Sequence, residues 1–168
     1  MVQSTLTQLQ NWYNEPSQGQ ERTKLLSKLA TLELCGWIEG EIDRIIMQAN
    51  VASINDNAWV QENIIDRTNG FNYNEHIRSM FLRIYGEFLV RRIEKEFEMN
   101  FPGDLDQLKS LLGTLWRYRC TFAHTNIVAQ ISRQTQYQAP SWAINQHRLI
   151  ARLLLRLEAT LLAVLQQL

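Results

Sequence analysis

The segment "RYRCTFAH" holds the residues whose types and spacing are best suited to chemistry. It runs from Arg117 to His124 and contains two arginines, a cysteine and one of the chain's three histidines. A histidine can take the proton of a ribose 2′-hydroxyl or protonate a leaving oxygen, while a guanidinium can hold a phosphate through two parallel hydrogen bonds. Together these groups can cleave a phosphodiester bond without a metal. The substrate would be RNA, because DNA lacks the attacking hydroxyl.

Either of two arginines can pair with His124. Arg119 precedes the histidine by five positions and Arg117 by seven. On a continuous helix, an offset of seven returns to nearly the same face, whereas an offset of five lies about 140° away and needs the length of an arginine side chain. Arginines are frequent in this sequence, so the surrounding sequence must support the pairing.

Other motifs of common active sites are absent from the sequence. It contains neither the phosphate-binding motif G-x-x-x-x-G-K-[ST] nor the dinucleotide-binding motif G-x-G-x-x-G. The zinc-protease motif H-E-x-x-H and the serine-hydrolase motif G-x-S-x-G are also missing. His76 and His147 have no neighbouring partner pattern, so we expect structural or surface roles for both. Cys35 and Cys120 are too few and too far apart for a disulfide framework or a zinc site, which predicts reduced thiols. We therefore expect neither a metal nor a cofactor.

The basic residues are concentrated towards the end of a chain whose formal net charge is zero. Of 17 basic and 17 acidic residues, residues 107–168 contain one acidic residue, Glu158, and the basic residues Lys109, Arg117, Arg119, Arg133, Arg148, Arg152 and Arg156. Such a segment can attract a phosphate-bearing ligand. The alternative, that these arginines pair with acidic residues of earlier helices, remains open.

Apolar residues recur at spacings of three to five positions along most of the chain, which predicts helices almost throughout. Asp104 and Ser141 are expected to cap the helices that follow them, and the residues after His124 to form a loop. The predicted helices are 3–13, 20–50, 56–67, 74–99, a helix from Asp104 into the quoted segment, and 142–168. This order predicts one all-α domain over residues 1–168, a bundle with two long helices, a short linking helix and a closing C-terminal helix.

Each of the two long helices has an apolar face that we expect to be buried. In the first, this face contains Leu25, Leu29, Leu32, Trp37, Ile42, Ile45 and Ala49. In the second, it contains Ile77, Met80, Phe81, Ile84, Tyr85, Phe88, Ile93 and Phe97. Gly36 and Gly40 lie within the first long helix, where they either permit the close approach of another helix or are simply tolerated.

The ends of the chain predict a cytoplasmic protein without a membrane segment. The opening residues lack the basic and apolar regions of a secretory signal. The most apolar segment, near the C-terminus, is interrupted by Arg152, Arg156 and Glu158, whereas a helix that crosses a bilayer needs about 20 mostly uncharged residues.

The sequence around the quoted segment resembles the signature of the HEPN superfamily (higher eukaryotes and prokaryotes nucleotide-binding). In "LLGTLWRYRCTFAHT", an amphipathic helix leads into Arg, a polar residue, two variable positions, Ala and His. The alignment places these on Arg119, Ala123 and His124. The likeness is greatest to the stand-alone prokaryotic members, including the RiboL-PSP-associated type, and the predicted all-α frame extends it over most of the chain.

The resemblance implies a metal-independent endoribonuclease, often a toxin or defence effector. Arg119 and His124 would be its catalytic pair, and a homodimer would combine the motifs of both subunits in one composite cleft. It also implies a possible nucleotidyltransferase-type antitoxin as a partner. Separately from the family, we expect Arg117, Asn126 and Arg148 to add phosphate contacts, since their side chains can donate hydrogen bonds to an anion.

Two further functions remain open at this point. Cys120 occupies a position where the family usually has Asn, Asp or His, and a thiol is a weak donor and a poor acceptor. A non-catalytic HEPN-like dimer that binds a nucleotide, RNA or a protein is therefore the alternative to a nuclease. The third hypothesis is a helical adaptor that docks onto another chain through its apolar last helix.

Overall fold

The computed structural model describes residues 2–16, 19–51, 55–123 and 136–167. Within these ranges the protein is helical and contains no strand, which confirms the predicted all-α class. Its α-helices are α1 (Val2–Tyr13), α2 (Gln20–Val51), α3 (Asn57–Val60), α4 (Arg78–Asn100), α5 (Asp104–Ala123) and α6 (Pro140–Leu165). Two wider turns of π-helix, Gln61–Ile65 and Tyr73–Ile77, follow α3 and precede α4. None of the helices described is long and apolar enough to cross a membrane.

The backbone N–H groups in the first turn of a helix have no partner within the helix. In α3 a side chain accepts a hydrogen bond from one of them, and in α6 a proline removes one of them. The Asp56 carboxylate accepts a hydrogen bond from the Trp59 backbone N–H at 2.9 Å and so caps α3. Pro140 is the first residue of α6, a position that suits proline because its missing N–H would have no partner within the helix. Ser141 consequently lies inside the first turn of α6, and its predicted role as the cap is wrong.

Asp104 also lies inside a helix that it was expected to cap. The backbone N–H of Gln107 donates to the Gly103 carbonyl at 3.1 Å, which makes Gly103 the residue that precedes the first turn of α5. The Asp104 carboxylate instead accepts a hydrogen bond from Arg156. As an acidic residue in the first turn, Asp104 still interacts favourably with the helix dipole.

The chain forms two compact units. The first consists of Met1–Trp37 and Thr114–Leu149, and the second of Ile38–Gly113 and Ile150–Leu168. Helices α2, α5 and α6 contribute residues to both units. A single domain over residues 1–168 stays a prediction.

The core of the first unit is built from one face of α2 and apolar residues of α1, α5 and α6. Its buried residues include Leu6, Leu9, Leu26, Ala30, Leu34, Cys35, Leu115, Phe122 and Ala143. The predicted face of α2 is wrong in this unit, because Leu25 is 53% and Leu29 42% exposed. Leucines one position apart give α2 two apolar faces here, and helical periodicity alone cannot select between them.

The second unit has an apolar core and several ion pairs that are partly exposed. Its largest buried side chains include Ile38, Ile46, Ile64, Phe71, Tyr73, Ile77, Phe81 and Phe97. Arg44 donates to both carboxylate oxygens of Glu158 at 2.8 and 2.7 Å. Arg78 pairs with Glu87 at 3.0 Å and with Glu94 at 3.1 Å.

Helix α4 is kinked at Gly86. This residue has φ 74° and ψ 166°, a conformation that side chains rarely adopt and that interrupts the helical register. After the kink, Leu89 and Val90 are buried, whereas Phe88 is 84% exposed. The predicted burial of Phe88 is therefore wrong, because the kink rotates the second half of α4 relative to an unbroken helix.

Candidate nucleic-acid-binding site

Helix α5 carries the motif arginines and remains helical through Ala123, the residue before His124. This agrees with the predicted amphipathic helix that leads into the motif. His124 and Asn126 lie outside the described residues. The pairing of Arg119 with His124, and the phosphate contact expected of Asn126, stay predictions.

Arg119 is half-buried on α5, where its guanidinium packs against an aromatic ring. The guanidinium carbon lies 5.1 Å from the ring centroid of Trp116, three residues earlier on the same helix. A cation over the face of an indole is attracted by the ring's electrons, and the ring does not neutralise the positive charge as a carboxylate would. This contact helps to hold the Arg119 side chain against α5.

Arg117 and Arg148 are exposed residues of the same unit. The Nη2 of Arg117 donates a hydrogen bond to the Thr114 hydroxyl at 3.3 Å, also on α5. Arg148 lies on α6, in the part of that helix that belongs to the first unit. Neither side chain forms an ion pair with a carboxylate among the described residues, so both can bind an anion from solvent.

An aromatic cluster joins the end of α5 to the residues that precede α6. The Phe122 ring stacks on Tyr118 at 5.8 Å and on Tyr137 at 5.4 Å between centroids. Trp142 packs its edge against Tyr118 at 5.6 Å, and Gln138 donates to the Tyr118 hydroxyl at 3.4 Å. The residues on either side of segment 124–135 are thereby held close together.

Sequence reasoning missed this cluster, although its signals are present. Tyr118 and Phe122 have the four-residue spacing of neighbours on a helix, and Tyr137 and Trp142 follow the predicted loop. Pairing across the loop depends on tertiary structure. The cluster therefore fixes Phe122 of α5 against Tyr137, which lies just before α6.

His147 is a second histidine in this unit. Its ring packs edge-on against Trp37 with 4.3 Å between centroids, and its buried Nδ1 has no hydrogen-bond partner among the described residues. Burial lowers the pKa of His147, and the nearby positive charge of Arg148 lowers it further. The imidazole is therefore neutral at neutral pH, and the structural role predicted for it is consistent with its contact to Trp37.

The basic residues of the C-terminal third fall into two groups. In the second unit, Arg156 bonds with Asp104 and lies 4.7 Å from the Phe101 ring centroid, while Lys109 lies 5.3 Å from that of Tyr73. Among the described residues of the first unit, Arg119 contacts an aromatic ring, Arg117 contacts a hydroxyl and Arg148 is exposed. The sequence left two alternatives for these basic residues. Arg156 pairs with an acidic residue of an earlier helix, whereas Arg117 and Arg148 are exposed to solvent.

Both cysteines lie in the first unit, with Cys35 buried and Cys120 half-buried. Neither forms a disulfide among the described residues, and Cys35 donates a weak hydrogen bond to the Leu115 carbonyl at 3.8 Å. Among the described residues, no group of three or more histidine, cysteine, aspartate or glutamate side chains is arranged to hold a metal ion.

Comparisons with protein-family models, with curated proteins and with solved structures give no match to this chain. The HEPN resemblance consequently rests on the sequence alone and stays a prediction. Any function derived from it is a proposal.

Proposed function

We propose that this protein is a metal-independent endoribonuclease of the HEPN type. The observation that carries the proposal is the position of Arg119, a cationic side chain held over Trp116 and five residues before His124. A fixed guanidinium close in sequence to a histidine is the pair of groups that phosphodiester cleavage needs.

The proposed reaction is transesterification within RNA. His124 or its symmetry mate takes the proton of the 2′-hydroxyl, and the 2′ oxygen attacks the adjacent phosphorus. The bond from phosphorus to the 5′ oxygen breaks, and that oxygen receives a proton from a histidine acting as an acid. Arg119 stabilises the additional negative charge on the phosphoryl oxygens. The products carry a 2′,3′-cyclic phosphate and a free 5′-hydroxyl.

The neighbouring cations supply binding rather than bond cleavage in this proposal. Arg117 and Arg148 are exposed and would hold phosphates on either side of the scissile bond, with Asn126 as an additional donor. The aromatic cluster of Tyr118, Phe122 and Tyr137 would keep the segment that begins with His124 anchored at both ends.

The biological setting of the proposal follows from the family. A homodimer would place two copies of Arg119 and His124 in one cleft, which doubles the local positive charge. Such a ribonuclease would act in the cytoplasm as a toxin or defence effector, restrained by a nucleotidyltransferase-type antitoxin.

Cys120 favours a second candidate function. A half-buried thiol stands next to the motif arginine, where the family usually has a stronger hydrogen-bonding side chain. A protein with this substitution can retain the fold and bind RNA or a nucleotide without cleaving it. This candidate is a non-catalytic dimeric binding module.

The decisive experiment is cleavage of a mixed RNA substrate in EDTA by the purified protein. Arg119→Ala and His124→Ala are compared with the wild type, and Arg152→Ala and His76→Gln are matched controls in the second unit. We expect cleavage to be lost in the first two variants, retained in the controls, and to leave 2′,3′-cyclic phosphate ends.

Cys120→Asn separates the two candidate functions. In a ribonuclease, the stronger hydrogen-bonding group should maintain or raise the rate. If all variants and the wild type leave RNA intact in EDTA while RNA still binds, the binding module is correct and the nuclease proposal fails. Circular dichroism establishes in each case that the helices are intact.

A further inference from the structure

The two units of the protein carry opposite formal charges. The first unit contains seven basic and three acidic residues, and the second contains ten basic and fourteen acidic residues. The formal net charge is therefore +4 for the first unit and −4 for the second, although the whole chain is neutral. Within the first unit, residues 114–149 contain no Asp or Glu. The surface that these residues contribute is accordingly suited to an anionic ligand.

Thr114 and Arg117 are neighbours on α5 within this segment. They are three positions apart, a spacing that places two side chains next to each other on a helix. Arg117 is exposed and Thr114 is half-buried. The Nη2 of Arg117 donates to the Thr114 hydroxyl oxygen at 3.3 Å, which holds the guanidinium beside the hydroxyl.

The Thr114 hydroxyl is bonded differently from those of other helical threonines. A threonine in a helix can donate its proton to the carbonyl four residues earlier. This bond is formed by Thr7, Thr23, Thr31, Thr121 and Thr160. Thr114 instead accepts a bond from Arg117, and no acceptor among the described residues takes its own proton. The Thr114 hydroxyl therefore keeps a donor for a ligand.

The acidic residues of α5 do not compete for these donors. Asp104 and Asp106 lie in the first turn of α5, so Asp106 precedes Thr114 by eight residues. Eight residues correspond to about 12 Å along a helix, which exceeds the screening length of about 8 Å at physiological ionic strength. The carboxylates of α5 therefore neither pair with Arg117 nor repel an anion beside Thr114.

We propose that Thr114 and Arg117 together bind one phosphodiester group of the RNA. The Arg117 guanidinium donates to one oxygen of the phosphate, and the Thr114 hydroxyl donates its proton to another. Thr114 thus has two roles, since it also positions Arg117 for this contact. Contacts of this kind fix the position of a nucleic-acid strand without reading its sequence.

The inference deepens the proposed function and takes the class of its ligand from it. The phosphate contact itself does not require bond cleavage, so it can be measured with a strand that cannot be cleaved. Single-stranded DNA has the same phosphodiester groups as RNA and lacks the 2′-hydroxyl that the proposed reaction needs.

The first test is the affinity of a short, fluorescently labelled single-stranded DNA, measured by anisotropy at low salt. Thr114→Val removes the hydroxyl and keeps the shape of the side chain, and we expect it to raise the dissociation constant about 10-fold. Thr114→Ser keeps the hydroxyl and should bind within about twofold of the wild type.

Thr121→Val is the matched control for the first test. Thr121 is an exposed threonine of the same helix, but its proton is bonded to the Arg117 carbonyl at 2.9 Å. Its hydroxyl has no second proton for a phosphate, so this variant should bind the strand as the wild type does. Circular dichroism establishes that each variant keeps its helices.

The second test replaces the phosphates of the strand, one at a time, by uncharged methylphosphonates. In the wild type, one replacement should weaken binding about 10-fold, whereas in Arg117→Ala the same replacement should have little effect. Thr114→Val and Arg117→Ala should also be coupled, because both residues bind one phosphate. The combined loss of affinity should be at least about threefold smaller than the product of the two single losses.

The outcomes separate this inference from the proposed ribonuclease activity. Equal affinities for the wild type and Thr114→Val, a loss that Thr114→Ser does not restore, or a wild type that does not bind the strand would overturn the inference. Binding through Thr114 and Arg117 by a protein that leaves RNA intact in EDTA would retain the inference and remove the nuclease. Cleavage of RNA together with equal affinities would do the reverse.

Discussion

The described contacts of the arginines on α5 in the first unit differ from those of three arginines in the second unit. In the second unit, Arg44, Arg78 and Arg156 bond with carboxylates on their own or distant helices. On α5 in the first unit, Arg119 lies over an indole ring and Arg117 contacts a hydroxyl. The guanidinium groups of these three arginines therefore contact acidic side chains, whereas those of the two α5 arginines contact an aromatic ring and a hydroxyl.

The difference separates residues that stabilise the fold from residues that can bind a ligand. An arginine whose guanidinium is bonded to a carboxylate has few donors left for a phosphate. Removing that arginine leaves a buried carboxylate without its partner, which destabilises the fold. A contact with an aromatic ring, by contrast, uses none of the hydrogen-bond donors of the guanidinium. The effects of substitution should accordingly appear in stability for one group and in RNA chemistry for the other.

We expect the largest effect for Arg119→Lys, on the rate of RNA cleavage. Lysine keeps the positive charge but loses the planar pair of donors, so we expect the cleavage rate to fall about 100-fold with little change in stability. Arg156→Lys is the counterpart in the second unit and should leave the rate unchanged. Rates are measured on the same RNA in EDTA. Equal rates for the wild type and Arg119→Lys would argue against a catalytic guanidinium.

The next effect is on stability, for Glu158→Ala. Glu158 is 7% exposed and accepts two hydrogen bonds from Arg44, which is itself partly exposed. Losing this carboxylate should lower the free energy of unfolding by about 2 kcal/mol, as measured by denaturation in urea. The exposed residue Glu62 is the control, and Glu62→Ala should change stability by less than about 0.5 kcal/mol.

Smaller effects are expected for the exposed arginines of the first unit. Arg117→Ala and Arg148→Ala should each weaken RNA binding several-fold and reduce the slope of log K against log salt by about 0.7, the value for one phosphate contact to a single strand. Arg152→Ala, an exposed arginine of α6 in the second unit, is the control. Unchanged slopes in the first two variants would remove these residues from the binding surface.

The smallest effect is a pH dependence of stability due to His147. Its pKa in the folded protein is below the ordinary value of about 6.5, so the unfolded chain binds more protons in the window below that value. The contribution of His147 is fully present above about pH 6.5 and is lost as the pH falls through the folded pKa. In His147→Gln, the thermal midpoint should depend less on pH between 5 and 7. An unaltered dependence would show that another group is responsible.

Much of the fold could be predicted from the sequence, down to individual helix ends. The predicted helix 20–50 is observed as Gln20–Val51, and the predicted 3–13 as Val2–Tyr13. The start of the last helix was placed two residues late, because Pro140 serves as the first helical residue rather than as a stop. Local helix propensity and capping determine where a helix begins and ends, and both depend on a few neighbouring residues.

The choice of buried face was less predictable. Leu25, Leu29 and Phe88 all satisfy helical periodicity yet are exposed. At Phe88 the cause is the conformation of Gly86, and at the two leucines it is the presence of a second apolar face on the same helix. Periodicity identifies candidate faces, but only packing against other elements selects one.

The sequence by itself determined the helical class, the approximate limits of the helices and the location of the arginines and histidines along them. Tertiary structure decided the environment of each: Arg119 over Trp116, Arg156 against Asp104, and His147 against Trp37. The physical reason is that helix formation depends on hydrogen bonds within a few residues. The charge and availability of a side chain depend on partners brought near by the fold.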